Sequence, residues 1–352
     1  MKESKADQTT TGLAALGALS ARIGADPLLI QGAGGNSSLK SEGVLWVKAS
    51  GTWLADAERA AIFVPIDLDQ ARRSFAAGAQ MVPALALPGA PAGLRPSIET
   101  SLHAFLPQRF VLHVHSVNAM AWCVQRDAQR ELARRLHGLA WAWLPYCRPG
   151  LPLAQALARL MGEGPAPDIL LLANHGLVVA AESASALEAA LRDVERRLAL
   201  PARPAPKESL ERLANLAADS PYRLADASIV HALGQNDQRR AIAAGGSLYP
   251  DHVIFLGPAA MVLRAGETPA GLAREAAKAD RPPPAVILVP GEGTLVLRDL
   301  SAEALALVDC LAEVAARLPD QAEVTYLGAA EEEALLGWDA EKYRKALKRT
   351  PG

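Results

Sequence analysis

Phe110-Val-Leu-His-Val-His115 is the stretch on which the reading of this chain turns. It alternates as a strand, where residues two apart point to one face, so His113 and His115 can both reach a single ion. Just upstream, Ile98, Leu102, Phe105 and Leu106 make a helical stripe ended by Pro107. Downstream, a second helix is expected over about 118–126. Residues 168–173 then read as a continuous apolar strand, Asn174-His175-Gly176 as a turn, 177–180 as another strand, and about 183–198 as a helix. Strands and helices alternate, which makes the class α/β or α+β.

Toward the N-terminus, an amphipathic helix is expected over 10–22, with Leu13, Leu16, Leu19 and Ile23 at helical spacing and Gly24 as a stop. Leu28-Leu29-Ile30 reads as a strand, Gln31-Gly-Ala-Gly-Gly-Asn-Ser-Ser38 as a glycine loop, Leu45-Trp-Val-Lys48 as a strand and Ser50-Gly51 as a turn. Residues 75–96, rich in Ala, Gly and Pro, fit a surface excursion.

Toward the C-terminus, Pro201-Ala-Arg-Pro-Ala-Pro206 is a proline-rich joint. It divides the chain into domains 1–205 and 206–352. Beyond it lie helical segments, a strand candidate at 253–256, and Ala285-Val-Ile-Leu-Val289 running into Pro290-Gly-Glu-Gly293, Leu295-Val-Leu297 and a helix from Ser301. That order of strand, glycine turn, strand and helix repeats the one around His175. Ser183-Ala-Ser-Ala-Leu187 and Ser301-Ala-Glu-Ala-Leu305 even share letters at the helix start, and Glu292 stands near the place of His175. The echo suggests a smaller second α/β domain that is a degenerate duplicate without its metal ligand.

Composition excludes several classes of function. Half of the 352 residues are apolar, and 36 Lys+Arg against 38 Asp+Glu give a net charge of −2. There is no basic field to hold nucleic acid or anionic lipid, so the expected partner is a small molecule. The first ten residues are polar and no apolar run approaches the roughly 20 residues that cross a bilayer, which places the chain in the cytoplasm. Cys123, Cys147 and Cys310 lack metal or redox spacing and read as buried thiols.

His175, in a tight turn after a buried strand, would add a third imidazole to His113 and His115 and leave positions open for substrate. Taken singly, each histidine reads as an ordinary core residue. His103, His137, His231 and His252 are not assigned as ligands. Glu99, at a helix start that favours a carboxylate in any case, precedes the metal strand and could move a proton beside a metal-polarised carbonyl. Gly32-Ala-Gly-Gly35-Asn36-Ser37-Ser38 offers backbone N–H, amide and hydroxyl groups suited to a phosphate or other anion, or is a plain loop. Ser50-Gly51 is a second polar turn of that kind, or an ordinary β-turn.

Together, Gly35-Asn36 with Ser38, Ser50-Gly51, Pro96-Ser97-Ile98-Glu99, His113-x-His115 and Asn174-His175-Gly176-Leu177 resemble, in order, the motifs of the class II aldolase/adducin family. Arg95-Pro-Ser-Ile-Glu-Thr100 with Leu102-His-Ala-Phe-Leu-Pro107, Tyr249-Pro-Asp-His-Val253 and Trp338-x-x-Glu341-x-Tyr343-Arg344 look closest to the aldolase half of bifunctional rhamnulose-1-phosphate aldolase/short-chain alcohol dehydrogenases. The sequence stops where such proteins begin their dehydrogenase domain, so no nicotinamide site is expected.

The resemblance implies a central β-sheet flanked by helices and a homo-oligomer, usually a tetramer. It also implies a divalent cation, zinc first and cobalt, manganese or iron behind it, at His113, His115 and His175. Glu99 would be the acid/base, and Asn36, Ser50, Gly51 and Ser97 would hold a substrate phosphate. Ile98 stands where many family aldolases have a second serine, which removes one hydroxyl from that pocket. The implied reaction is retro-aldol cleavage of a ketose 1-phosphate of the rhamnulose or fuculose type through a metal-stabilised enediolate, with Glu99 raised in pKa by its apolar surroundings. The alternatives are a sugar-phosphate epimerase, a sugar-acid decarboxylase and a metal-free, adducin-like binding module.

Overall fold

The computed structural model describes residues 5–79, 86–204 and 210–337. It resolves into two compact units. The first runs through Cys123 and continues over Gln129–Ala199; the second comprises Leu200–Gly337 with Val124–Ala128. The expected domain boundary at 205 and the motif Trp338-x-x-Glu341-x-Tyr343-Arg344 lie outside the described residues.

In the first unit the order is α1 (Lys5–Gly24), β1 (Asn36–Ser41), β2 (Val44–Lys48), β3 (Phe63–Asp67), α2 (Leu68–Ala76), α3 (Thr100–Phe105) and β4 (Phe110–Val114). There follow α4 (Val117–Cys123), α5 (Ala128–Arg135), β5 (Trp141–Leu144), α6 (Leu151–Gly162), β6 (Ile169–Leu172), β7 (Gly176–Ala181) and α7 (Ala184–Leu198). The strands form one mixed seven-stranded sheet in the order β3-β2-β1-β4-β7-β6-β5. Only the β5/β6 pair is parallel. A parallel pair needs a crossover, and α6 supplies it.

β4 is the middle strand, and all five of its residues are buried. Covered on both faces, it needs apolar side chains at nearly every position. His113 interrupts that run with a polar group, and the fold accommodates it by giving it partners. On one face, Leu102 of α3, Leu106 at its C-cap, and Leu153 and Leu157 of α6 pack against Val111, Leu170, Leu172, Val178 and Ala180. α1 packs on β1, α4 on β6 and β7, and α7 on β4 and β7, and the three helices pack on one another through α7. Alternation in β1 sorts its polar run Asn36-Ser37-Ser38 between the two sides. Ser37 meets Ser20 of α1 at 2.7 Å, while Ser38 meets His103 of α3.

The second unit contains α8 (Glu211–Ala217), β8 (Tyr222–Leu224), α9 (Ser228–Gln235), α10 (Asp237–Ala244), α11 (Pro250–Leu256), β9 (Met261–Val262), α12 (Pro269–Lys278), β10 (Val286–Val289), β11 (Gly293–Leu297), α13 (Ala302–Arg317) and α14 (Ala329–Leu336). Its four-stranded sheet is ordered β8-β11-β10-β9, again with one parallel pair, β9/β10. Among the described residues no helix is long and apolar enough to cross a membrane.

The structure corrects several expectations. Leu28-Leu29-Ile30 forms turns rather than a strand, because the chain must fold back from α1 within a few residues, and Leu29 and Ile30 both donate to Asp26 O. Residues 253–256 are helical, being the end of α11, whose first helical position is Pro250; a short apolar run carries no period to tell strand from helix. The expected helix over 118–126 ends at Cys123, after which Gln125 forms a bridge with Val324. Cys123 and Cys310 are buried, as expected, but Cys147 is only half-buried.

Candidate active site

β1 and β4 pair antiparallel so that Asn36 lies opposite His113. β7 on the other flank places Val178 opposite His113, and the three-residue turn between Leu172 and Gly176 carries His175 to the same end of the sheet. Asn174 holds that turn with φ of 50°, a left-handed conformation that asparagine adopts more readily than most residues. His115 lies just past the end of β4.

The three imidazoles therefore converge. Their ligand nitrogens all lie within 4.8 Å of one another, and each residue is buried. The Nε2 atoms of His113 and His115 are 3.2 Å apart. Two imidazole nitrogens at roughly 2.0–2.1 Å from one zinc stand about 3.0–3.4 Å from each other, so the pair fits a shared cation. His113 Nδ1 donates to Leu177 O at 3.1 Å, which leaves the Nε2 lone pair facing the cluster.

Glu99 closes the constellation. It stands at the N-cap of α3 but makes no capping bond with its side chain. Its carboxylate turns inward instead, with Oε2 3.5 Å from His113 Nε2 and Oε1 3.5 Å from His175 Nε2. Oε1 is buried and accepts no hydrogen bond, so an acceptor faces the space between the imidazoles. Burial would push the carboxyl up, but the imidazoles of His113 and His175, the Asn36 N–H and His115 together outweigh it and hold Glu99 at about 2. The raised value expected from an apolar pocket is thus corrected: the site is enclosed yet lined with groups that favour the anion.

Glycines make the close approaches. A Cβ on Gly34 would stand 2.9 Å from His115 Nδ1, and one on Gly176 would stand 2.6 Å from Val114 O and 3.3 Å from His113 Cε1. Gly176→Ala should cost about 1–3 kcal/mol, the usual penalty for overpacking a tight interior. It should also weaken metal retention, and urea unfolding with metal analysis reads both.

The anion-binding candidates fall near this cluster. Ala49 bridges Pro96, Ser50 N donates to Arg95 O, and Ser97 N donates to Lys48 O, which sets the Ser50-Gly51 turn beside Ser97. Ser97 Oγ accepts from Glu99 N at 3.2 Å. Asn36 is engaged differently from the expected phosphate contact: its Nδ2 donates to Glu99 Oε2 at 2.7 Å and its Oδ1 accepts from His103. Gly34 N is also occupied, donating to Gln31 O. Two residues escaped the sequence reading. His103 underlies Asn36, and buried Lys48 donates to Ala33 O and Gly35 O at 2.9 and 3.1 Å, clamping the glycine loop. A lysine in the otherwise apolar run Leu45-Trp-Val-Lys48 was the available signal for the second.

A helix-flanked mixed sheet gathers three imidazoles at the end of its middle strand in a His₃ metal-type cluster with a buried carboxylate beside it. Residues 16–200 match the Class II Aldolase and Adducin N-terminal domain, and the chain belongs to that family. A Bacillus subtilis protein named as an uncharacterized oxidoreductase, YuxG, is 33% identical over 193 residues, which are 51% of this chain and 28% of that one. The chain thus spans well under half the length of that relative. Among solved structures, the N-terminal class II aldolase domain of a Thermoplasma acidophilum protein is similar at 28% identity and a TM-score of 0.44, covering 52% of this chain and 90% of that one. L-fuculose-1-phosphate aldolase from Thermus thermophilus is similar at 19% identity and a TM-score of 0.36, covering 53% and 92%.

Proposed function

We propose that this protein is a divalent-metal-dependent aldehyde-lyase that cleaves a ketose 1-phosphate of the rhamnulose or fuculose type. The observation that carries this reading is the Glu99 carboxylate lying 3.5 Å from both His113 Nε2 and His175 Nε2. His113, His115 and His175 would hold the cation, zinc being the first choice for an all-imidazole set. When bound, the cation would supply Lewis-acid stabilisation to the negative charge that develops on the substrate's carbonyl oxygen. Glu99, ionised at rest, takes the proton of the hydroxyl on the carbon that becomes the aldehyde. The carbon–carbon bond then breaks, its electron pair staying with the ketone fragment, and Glu99 gives the proton to the carbon of that fragment that holds the pair. Ser50, Gly51 and Ser97 would receive the phosphate, with Asn36 turned to Glu99 rather than to the phosphate alone. Burial excludes water from the carbanionic fragment.

The reading includes the closer likeness to the aldolase half of bifunctional rhamnulose-1-phosphate aldolases, and a homo-oligomer, a tetramer by that resemblance. Incubating the metal-loaded protein with a panel of ketose 1-phosphates tests the chemistry. An aldehyde product is expected. An epimer or released carbon dioxide from a sugar acid would move the assignment to the epimerase or the decarboxylase, and a protein that binds no metal would support the adducin-like module.

We also propose that the C-terminal α/β domain, 206–352, is a degenerate repeat of the metal-bearing half of 1–205. From α3 to α7 the first unit, like the second from α8 to α13, runs helix, strand, helices, strand, helix, hairpin and helix, and β4-β7-β6-β5 matches β8-β11-β10-β9 with the same single parallel pair. At one constant offset, Leu102, Leu106 and Val111 fall on Leu213, Ala217 and Tyr222, and at a second, Leu170, Leu172 and Val178 fall on Ile287, Val289 and Leu295; all twelve are core residues. Ser183 and Ser301 cap the closing helices alike. The same offsets put Leu210, Leu224, Asp226 and Glu292 where Glu99, His113, His115 and His175 stand, and Glu292 pairs with Arg212 at 3.0 Å. An ion pair and two leucines in those places support one cation per chain.

A further inference from the structure

We propose that His103 is a positioning residue for Glu99, acting through Asn36 at the end of a hydrogen-bond chain whose direction is fixed. The chain runs Ser38–His103–Asn36–Glu99, from β1 to α3, back to β1 and again to α3. Ser38 Oγ lies 2.7 Å from His103 Nδ1, His103 Nε2 meets Asn36 Oδ1, and Asn36 Nδ2 lies 2.7 Å from Glu99 Oε2. Each of the four residues is buried, Ser38 and His103 completely.

The polarity follows from the carboxylate. Asn36 Nδ2 is the atom set against Glu99 Oε2, so Asn36 donates there and presents its oxygen to His103. That oxygen can only accept, so His103 carries its proton on Nε2. Burial, followed by the charge of Lys40, drives His103 down to about 3, so the ring is neutral and its Nδ1 is left as the acceptor. Ser38 must then donate. No member can turn around without leaving two acceptors or two donors face to face in a place water does not reach. The consequence is that Asn36, a side chain with two rotatable bonds, is locked with its N–H aimed at Glu99, and the carboxylate is held against the imidazoles by a frame anchored in two secondary-structure elements.

This inference rests on the metal-lyase reading for its catalytic meaning, but the chain itself can be tested without it. Long-range ¹H–¹⁵N correlation spectra of imidazole-labelled full-length protein should show, beside the Nε2-protonated rings of His231 and His252, a further neutral histidine with the proton on Nε2, unchanged from pH 5 to pH 8 and absent in His103→Gln. An Nδ1-protonated or charged His103 would overturn the proposal, whatever the protein binds. For function, cobalt(II) affinity and its visible absorption should be measured for the wild type, His103→Leu and His103→Gln, alongside circular dichroism. Loss of the supporting hydrogen bond should weaken cobalt binding about 10- to 100-fold, the range for groups that orient metal-site residues. Glutamine, whose Nε2 can reach Asn36, should restore most of that loss. Folded variants that bind cobalt equally, or a glutamine variant no better than leucine, would overturn the positioning role. Failure of the wild type to bind cobalt would instead strike the metal-lyase reading and leave the nitrogen spectra to decide the chain.

Discussion

His113→Ala is expected to reduce the divalent metal from about one ion per chain to nearly none, and cleavage of the substrate with it. The side chain is fully buried on the middle strand of the sheet, with its Nε2 3.2 Å from that of His115 and its Nδ1 committed to Leu177 O. Two imidazoles and a carboxylate would remain, too few protein ligands of the right kind to compete with buffer for a His₃-selective cation. Elemental analysis of protein purified without chelator reads the metal directly. Because a vacated core position costs about 2–4 kcal/mol, His113→Gln serves as the control that fills the space without restoring the geometry. If the folded glutamine variant keeps its full complement of metal, His113 is not a ligand. A wild type carrying two ions per chain would count against the degenerate repeat.

Glu99→Gln should keep about one ion per chain at saturating metal, bound about 10- to 100-fold more weakly, and lower cleavage on the order of 10²- to 10⁴-fold, the span attributed to a positioned acid/base. Glutamine keeps the length and can still meet Asn36, so the loss isolates proton transfer from packing. The sign of the pH dependence follows from the depressed pKa. With its folded value held at about 2 against an ordinary 4.5, Glu99 is ionised throughout the neutral range and begins the cycle as a base. Any acid inactivation between pH 7 and pH 5 should therefore follow loss of metal, not protonation of Glu99. Measuring metal release and rate across that window in the same samples checks it. A rate that falls in acid while the metal stays bound would contradict this assignment.

Much of the first unit was legible because its signals are local. The alternation in Phe110-Val-Leu-His-Val-His115, the apolar run before Asn174-His175-Gly176 and the serine-capped helix after it each specify their own element, and all three formed close to the expected bounds. Leu28-Leu29-Ile30 and 253–256 failed for the converse reason. Three or four apolar residues have no period, and neighbours decide what they become.

The sequence by itself determined the class of fold, the family, and the three histidines and one carboxylate on which the proposed chemistry rests, since the family's motifs, with spacing two apart on a strand, suffice to name them. Only the tertiary structure decided their electrostatics. Whether Glu99 is raised or lowered depends on which groups face it across 14 to 76 residues of chain, and it took the pairing of β1 with β4 to set Asn36 opposite His113 and His103 behind it. The full extent of the proposed repeat was likewise invisible in the letters, because the matched core positions share only volume and apolarity. Those are recovered only when the two sheets are compared strand by strand.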